Sequence, residues 1–594
     1  MSDPGYIFIA IIIFLAAAAA LGIVNARRIR KDQREKLRRS FGTYPGHEYA
    51  PDELARIPRY FEKHGKEALF SVDDITANDL DLWSLFARVN YCQSAAGEEV
   101  LYHTLRTPVF QKEELQSREE EICYFAGDEE RRLDLQMAFK DLGGSGKYSV
   151  YDYLERLSDV PRKSILPHLL GILALICSVA LMFFSFGYGF IALLAVAGWQ
   201  IVTYYREKSL LDAYLSTFGY MLRLLSCGEH AGRILKSADN KALPTSLSAR
   251  AGNIEGHLEA MSRFRSGAGM LLNASRTSGS GNPLDIIADY LRMLLHIDLI
   301  KFQQMIREAA AHTQDIDALI TDLGMIEAMI SVACFRASIH EPPEGTKGYC
   351  VPEHSEDKAL RLRVKDLRHV LLEEGAVTNS MEVSRGVLLT GSNASGKSTW
   401  LKALGLAAVM SQTIHTVTAS SYEAPLSRIY SSMALSDDLQ GGESYYIVEI
   451  RALSRVLDAA GMTDAPPILC FIDEVLRGTN TVERIAASAQ ILHHFSHERV
   501  LLFAATHDLE LTTLLADVFD NYHFEGTLTE SDVCFDYLLK KGPSQTRNAI
   551  GLLKRFSYDS EITANAEEMA KRFETTGIWS MNGASAQSQG ANRS

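Results

Sequence analysis

Hydrophobic positions follow different rules in different parts of this chain. Tyr6 to Val24, Ile165 to Ser185 and Tyr188 to Tyr204 are apolar on every face. The first is long enough to cross a bilayer at about 1.5 Å per residue. The second and third, separated by a Phe186-Gly187 turn, read as a helical hairpin. From Ser71 to Arg106 and from Glu113 to Asp141, apolar residues instead recur at three- and four-residue spacing and predict amphipathic helices. Leu210 to Ser338 has the same spacing, broken by the turn-rich stretch Asn273 to Pro283. Its last part, Leu284 to Ser338, predicts a long amphipathic lever. From about Gly348 to Phe573 short apolar runs alternate with helical patterns, which predicts an α/β domain. Its strands are expected at Gly386–Thr390, Ile468–Ile472, Val500–Ala504 and Asn521–Phe524.

These shifts divide the 594 residues into segments. Residues 1–40 are read as a transmembrane anchor with a basic juxtamembrane stretch, 41–163 as the first part of a helical core, and 164–206 as a transmembrane hairpin. Residues 207–340 continue the core and lever, 348–573 form the α/β domain, and 574–594 are a polar tail that cannot bury enough surface to order itself.

The charges orient this arrangement. RRIRKDQREKLRR, Arg27 to Arg39, follows the first apolar run, so the positive-inside rule leaves the amino terminus outside and the rest in the cytoplasm. A cleaved signal would carry its positive charge before the run, where Asp3 stands. Arg162 and Lys163 precede the hairpin, and Arg206 and Lys208 follow it, which places both ends on the cytoplasmic face. The expected location is the cell membrane, multi-pass, with the α/β domain in the cytoplasm. The short third run contains Gly198 and Gln200, so a buried hairpin of a soluble domain is the other reading. The net charge of −14 gives no broad basic field for a duplex, and the Arg27–Arg39 cluster is explained by topology and anionic lipid. Glu119, Glu120, Glu121, Arg131 and Arg132 read as solvated helix surface. The eight cysteines include no C-x-x-C pair and no zinc or disulfide framework, and Cys177 and Cys470 read as small apolar fillers.

The strongest chemical signal is GSNASGKST at 391–399, which fits G-x-x-x-x-G-K-[ST] between a predicted strand and a helical pattern. Gly391 and Gly396 let the backbone curl so that its amides converge on a phosphate, and the next helix presents its positive end. Gly391, Ser392, Asn393, Ala394, Ser395, Gly396, Lys397, Ser398 and Thr399 are the expected ATP-binding stretch, with Lys397 on the β- and γ-phosphates. Ser398 and Asp473 are the expected magnesium ligands, Asp473 directly or through water, and Glu474 would orient or deprotonate the attacking water. His507, after the apolar strand VLLFAA, is expected beside the γ-phosphate. Ser444 stands at a helix start, where by itself it reads as a cap.

TGSNASGKSTWLKA, DDLQGGESYYIVE, FIDEVLRGTNT and FAATHD, in this order and spacing, resemble the four ATPase motifs of the MutS family, relatives of the ABC-type ATPases. FDYLLKKGPSQTRNAIGLLKRF, Phe535 to Phe556, is similar to the helical region by which the family's ATPase domains dimerise. SAAGEEVLYHTLRTP and the helices up to Ser338 look like its core and lever. The resemblance implies a P-loop, ABC-type α/β ATPase domain at the C-terminus, preceded by an all-α core and lever region that here carries transmembrane helices. It implies ATP and Mg2+ as cofactors, and a homodimer in which Ser444 contacts the γ-phosphate held by the partner. Arg477 to Thr481 would lie beside Glu474 at the dimer surface.

The departures concern DNA. There is no room before the core helices for a mismatch-reading domain, no Phe-x-Glu near the amino terminus, and no nuclease-like domain after Phe556. The expected function is a membrane-anchored MutS-family ATPase whose dimer hydrolyses ATP to drive a clamp on double-stranded DNA without reading mismatches. The alternative is an ABC-like membrane ATPase acting on a protein or membrane partner without DNA. Composition leans toward the second and the resemblance toward the first.

Overall fold

The computed structural model describes residues 21 and 24–581, apart from 147, 158–163, 238–242, 265–292, 340–347, 356–359, 373–375, 393, 434–444, 463, 478, 529–532, 545–549, 551–552 and 555–557. The first apolar run, except Leu21 and Val24, the polar tail after Met581, the break at Asn273 to Pro283, Asn393 and Ser444 therefore lie outside the described residues. The helices before the α/β region are α1 (24–40), α2 (Pro51–Arg56), α3 (Arg59–His64), α4 (Asp74–Asp79), α5 (Leu82–Val89), α6 (Ala95–Arg106), α7 (Lys112–Gly127) and α8 (Glu129–Leu142). They continue with α9 (Val150–Leu157), α10 (Leu166–Phe184), α11 (Phe186–Lys236), α12 (Thr245–Ala260), α13 (Ile297–Ala311) and α14 (Thr313–Ser338). The chain forms two compact units, one of residues 1–71, 84–340 and 413–415, the other of 72–83, 341–412 and 416–594.

The first unit is built on α14, against which α6, α7 and α12 pack. The expected lever is interrupted at His312, between α13 and α14, and α14 is buried on nearly every face instead of being amphipathic. Its polar positions are partners inside the core. Glu327 accepts the Ser94 amide at 3.2 Å and the Ser94 hydroxyl at the start of α6. Asp322 accepts Arg250 at 3.1 Å, and Asp317 accepts Tyr151 at 2.7 Å. Periodicity records these residues as a polar stripe, but buried polar groups with partners give the same pattern.

Two readings of charge are corrected. Glu121 and Arg132 are buried, not solvated. Arg132 donates to Phe125 O at 2.7 Å and lies over the Phe41 ring, while Glu119 takes both arms of Arg336 at 2.7 and 2.5 Å. Three arginines of the basic stretch on α1 are likewise matched within the first unit. Arg30 pairs with Asp141 at 2.9 Å, Arg34 with Glu130 at 2.7 Å, and Arg38 with Glu129 at 2.6 Å, so α8 supplies an acidic stripe against it.

The hairpin forms with its break at Ser185, not at Phe186-Gly187, because Ser185 alone takes an extended conformation between α10 and α11. A Cβ on Gly189 would lie 2.4 Å from Met182 N, so the close reversal needs glycine there. The second arm does not stop at residue 206: α11 runs 51 residues. Leu166–Phe184, Phe186–Glu207 and Thr313–Ser338 are, among the described residues, the helices long and apolar enough to cross a membrane. The first two are 11% buried and the third 83%.

The second unit holds two sheets. Its strands are β1 (Glu353–Ser355), β2 (Leu362–Leu367), β3 (Asn379–Val383), β4 (Gly386–Thr390), β5 (Ser421–Pro425), β6 (Arg428–Ser432), β7 (Ile468–Asp473), β8 (Val500–Ala505), β9 (Phe519–Leu528) and β10 (Val533–Lys541). Its later helices are α15 (Lys397–Thr413), α16 (Tyr445–Ala460), α17 (Thr481–Phe495), α18 (Glu510–Leu514) and α19 (Ser560–Thr576). The larger sheet has the order β10-β9-β4-β8-β7-β6, and the smaller β1-β5-β2-β3. β4, β7 and β8 read as unbroken apolar runs because a parallel sheet is covered on both faces.

Residues 533–541 correct the helical reading of the stretch beginning at Phe535. They form β10, antiparallel to β9, with a bulge between Phe535 and Leu539 where Tyr537 has φ 53°. Asn379 on β3 fixes this bulge by donating to Tyr537 O at 2.9 Å and accepting Leu539 N at 2.7 Å, a long-range contact that no local pattern announces. Residues 72–83, expected within the core segment 41–163, join this unit instead. There Asp79 accepts Ser431 Oγ at 2.7 Å and Met433 N at 2.9 Å, and Asp73 pairs with Arg455.

A close contact between α6 and α14 in the first unit gives a test. A Cβ on Gly324 of α14 would lie 2.5 Å from Val100 Cγ2 and 2.7 Å from Ala96 O. Gly324→Ala is expected to destabilise the unit by about 1–3 kcal/mol through overpacking, read as a lowered unfolding midpoint in denaturant. An unchanged midpoint would show that α6 and α14 can separate without cost.

Candidate functional site

A cleft of about 640 Å³ opens where β4, β7 and β8 end. Ser392, Ala394, Ser395, Gly396, Lys397, Ser398 and Thr399 line it, together with Asp473, Glu474 and His507. The sheet brings these separated stretches together: Leu389 pairs with Ala505, and Ala505 with Asp473, so the strand ends lie level. Thr506 N donates to Leu389 O and Glu474 N to Ala505 O, both at 2.9 Å, which ties the tips of β8 and β7 to their neighbours.

The loop between β4 and α15 has the conformation its glycines suggest. Gly391 and Gly396 have φ 147° and 107°. A Cβ on Gly391 would lie 2.6 Å from Phe524 O. Lys397 turns its ammonium back into the loop, donating to Gly391 O at 2.8 Å and Ser392 O at 3.0 Å. Burial lowers this ammonium from the ordinary lysine value, while Asp473 and Glu474 oppose the shift. The buried hydroxyls of Ser392 and Ser395 make no hydrogen bond among the described residues. A loop start to a long helix, a buried cation and unpartnered hydroxyls form a cradle suited to phosphate oxygens. Ser398 and Asp473 supply the hard oxygen donors that Mg2+ prefers.

Glu474 is held from two sides. His507 Nε2 lies 3.0 Å from Oε1, and Arg477 Nε lies 2.9 Å from Oε2. The His507 hydrogen bond, aided by the charge of Arg477 and opposed by burial, holds this carboxyl below its ordinary value. Glu474 and Leu476 have φ 61° and 58°, a left-handed conformation that costs side-chain-bearing residues about 1–3 kcal/mol.

Supporting residues escaped the sequence reading. Glu449, buried on α16, accepts Arg477 N at 3.2 Å and so fixes the turn after β7. Arg484 on α17 binds both oxygens of Asp508, at 2.8 and 2.6 Å, and Asp508 N donates to Thr506 Oγ1 at 3.0 Å, which fixes the turn carrying His507. Leu372, Val377, Trp400, Phe524 and Tyr537 add an apolar wall to the cleft. The DDLQGGESYYIVE, RGTNT and THD stretches hinted at these supports, Glu449 being the last residue of the first; the apolar wall comes from loops and strands with no signal of their own.

The pair Glu474–His507 predicts a definite pH effect. A carboxyl held low contributes stability above its ordinary value of 4.5, and that contribution is lost as pH falls through the lower folded value. In His507→Ala, the largest cause of the shift is gone, so the Glu474 carboxyl should titrate at higher pH than in the parent. A carbon NMR titration of the glutamate side chains reads this directly, and an unmoved midpoint would show that Arg477 alone sets it.

Residues 387–574 match the family model MutS domain V. The chain is 28% identical over 274 residues to the DNA mismatch repair protein MutS of Thermus thermophilus, covering 46% of this chain and 31% of that protein. It is 28% identical over 280 residues to the DNA mismatch repair protein MutS of Natronomonas pharaonis, covering 45% of this chain and 31% of that protein. Over 198 residues it is 30% identical to the DNA mismatch repair protein MutS 2 of Haloarcula marismortui, covering 32% of this chain and 20% of that relative. The chain thus spans a third or less of the length of these curated relatives. The domain that carries this cleft thus matches MutS domain V and is similar to the corresponding part of these MutS proteins.

Proposed function

We propose that this protein is a magnesium-dependent ATPase that works as a dimer at a membrane. The observation that carries the proposal is the convergence of Lys397, Asp473 and the Glu474–His507 pair on one cleft at the start of α15. The loop amides and Lys397 would bind the phosphates, with the ammonium exchanging its two carbonyl partners for phosphate oxygens. Ser398 and Asp473 would hold Mg2+, which when bound supplies charge neutralisation at the phosphates. Glu474, kept ionised by its neighbours, would orient a water and draw on its proton, and His507 would hold the carboxylate in place. Ser444 would complete the partner's site in the dimer. The apolar hairpin, with both arms exposed along most of their length, supports the membrane part of the proposal.

For the partner we propose double-stranded DNA, because the relatives are named as DNA mismatch repair proteins. One observation favours the second reading, a protein or membrane partner without DNA. Arg30, Arg34 and Arg38 of α1 are already paired with α8, and the net charge is −14, which argues against a broad cationic surface for a phosphate backbone.

Glu474→Gln should bind ATP normally and lose about a hundredfold or more in turnover. Measuring nucleotide binding and phosphate release on the same sample checks both halves, and parental turnover would remove Glu474 from its role. Titrating a duplex into the full chain in detergent micelles across salt separates the partner readings. A complex that weakens with salt and changes turnover supports DNA; no complex and unchanged turnover support the second reading.

A further inference from the structure

A groove of about 530 Å³ lies between α1, α8 and α11 of the first unit, and the proposed ATPase does not use it. Its sides carry five cations, Arg27, Arg30, Lys31 and Arg34 from α1 and Arg223 from α11, against two carboxylates, Asp134 and Asp141 from α8. Positions 27, 30, 31 and 34 recur at three- and four-residue spacing, so one face of α1 presents all four. The floor is aliphatic, made of Met137, Ala138 and Leu142 from α8 and Cys227 and Ile234 from α11. Among the described residues no Phe, Tyr or Trp lines it.

The two carboxylates do not neutralise the five cations. Arg30 pairs with Asp141 at 2.9 Å, and Arg34 pairs with Asp134 and with Glu130. These pairs, together with Leu37 packed on Leu133 and Met137, dock α1 on α8 and shape one side of the groove. Arg223 has neutral partners instead, donating from Nε to Leu142 O at 2.9 Å and from Nη2 to Gly144 O at 3.1 Å. Its guanidinium is thereby fixed at the end of α8 without a carboxylate partner among the described residues. Arg27 and Lys31 are exposed and make no ion pair with a described residue.

We propose that this groove binds one anionic phospholipid, with the phosphate among Arg27, Lys31 and Arg223 and an acyl chain along the aliphatic floor. The proposal rests on the membrane part of the function proposed above. Uncompensated cations attract an anion, and an aliphatic floor beneath them keeps water away and strengthens the attraction. The floor then selects among anions. A nucleotide base would find no aromatic ring to stack on, and a free phosphate would leave the aliphatic surface in water. A phosphate ester of an acyl chain meets both the charges and the floor. The volume falls in the range of roughly 300–1,000 Å³ usual for ligand pockets. The sequence also puts a source of lipid nearby: Arg27 follows Val24, the end of the first apolar run, by three residues, at most about 11 Å of extended chain.

The test uses the full chain in nonionic detergent micelles, with phosphatidylglycerol and phosphatidylcholine as probes and native mass spectrometry as the readout. One phosphatidylglycerol per chain should bind about a hundredfold more tightly than phosphatidylcholine. Arg27→Gln/Lys31→Gln, at two exposed positions where folding is not at stake, should lose most of that preference. Arg28→Gln/Lys36→Gln, which removes two α1 charges outside the groove, should keep it. Inorganic phosphate and glycerol phosphate, which lack the chain, should leave the lipid in place. Equal binding of the two lipids, or equal losses in the two double variants, would overturn the site. Displacement by either small phosphate would overturn it by making the groove a site for free anions, and displacement by a DNA duplex by making it a nucleic-acid face. Flotation of the parent with vesicles of phosphatidylcholine alone is read separately. Its absence would remove the membrane part of the proposed function, whereas the lipid preference in micelles needs no bilayer and judges the groove by itself.

Discussion

Parallel pairing of β4, β8 and β7 is the constraint on which the cleft depends. Parallel strands all leave the sheet at the same edge, so the loops that follow them must be neighbours however far apart they lie in sequence. With Leu389, Ala505 and Asp473 level, the segments beginning at Gly391, Glu474 and Thr506 emerge side by side. A slip of one residue in β7 would turn its alternate side chains to the opposite face and take Asp473 and Glu474 out of line with Lys397. The register is held by side chains buried on both faces, Leu388, Cys470, Ile472 and Ala504 on one and Leu389, Phe471 and Phe503 on the other. The apolar core and the chemistry are therefore set by the same pairing.

The cleft is electrostatically unfinished. Among the described residues a buried lysine ammonium has two loop carbonyls for partners, and the carboxylates of Asp473 and Glu474 at the end of β7 act on it. Ala394, Glu474 and Leu476 all adopt left-handed backbone, a conformation retained only where the surroundings enforce it. Here the enforcing groups are Glu449 under the turn after β7 and the Arg484–Asp508 pair under the turn after β8. These residues make no direct claim on a substrate. They hold Glu474 and His507 where a water and a phosphate could meet.

What was legible in the sequence was local. The strand, glycine loop and helix at 386–413 are contiguous, and their pattern is sufficient to place Lys397 and Ser398; the apolar strands ending at Asp473 and Ala505 announced themselves in the same way. What was not legible depends on partners distant in the chain. β10 exists because β9 and Asn379 pair with it, so FDYLLKK read in isolation supports a helix as readily. The 72–83 segment reads as another core helix until Asp79 and Asp73 find Ser431 and Arg455. Glu121 and Arg132 look solvated because a charge on a helix carries no mark of the neighbour that buries it.

The same limitation applies to apolar helices. Composition selects α14 and both arms of the hairpin by one criterion, yet α14 is 83% buried over its apolar window and each arm only 11%. Helices α6, α7 and α12 account for the first case: the apolar residues of α14 are spent on its own unit. The arms leave Ile176, Phe183, Phe184, Ile191 and Trp199 at 60–90% exposure, a continuous apolar surface too large for an ordinary face in water. At its foot the hairpin is polar inside, where His168, Gln200 and Glu207 lie against His296. Apolar outside and polar inside is the reverse of a water-soluble helix pair. That arrangement supports the proposal of a hairpin whose outer surface meets lipid while its buried polar groups face one another.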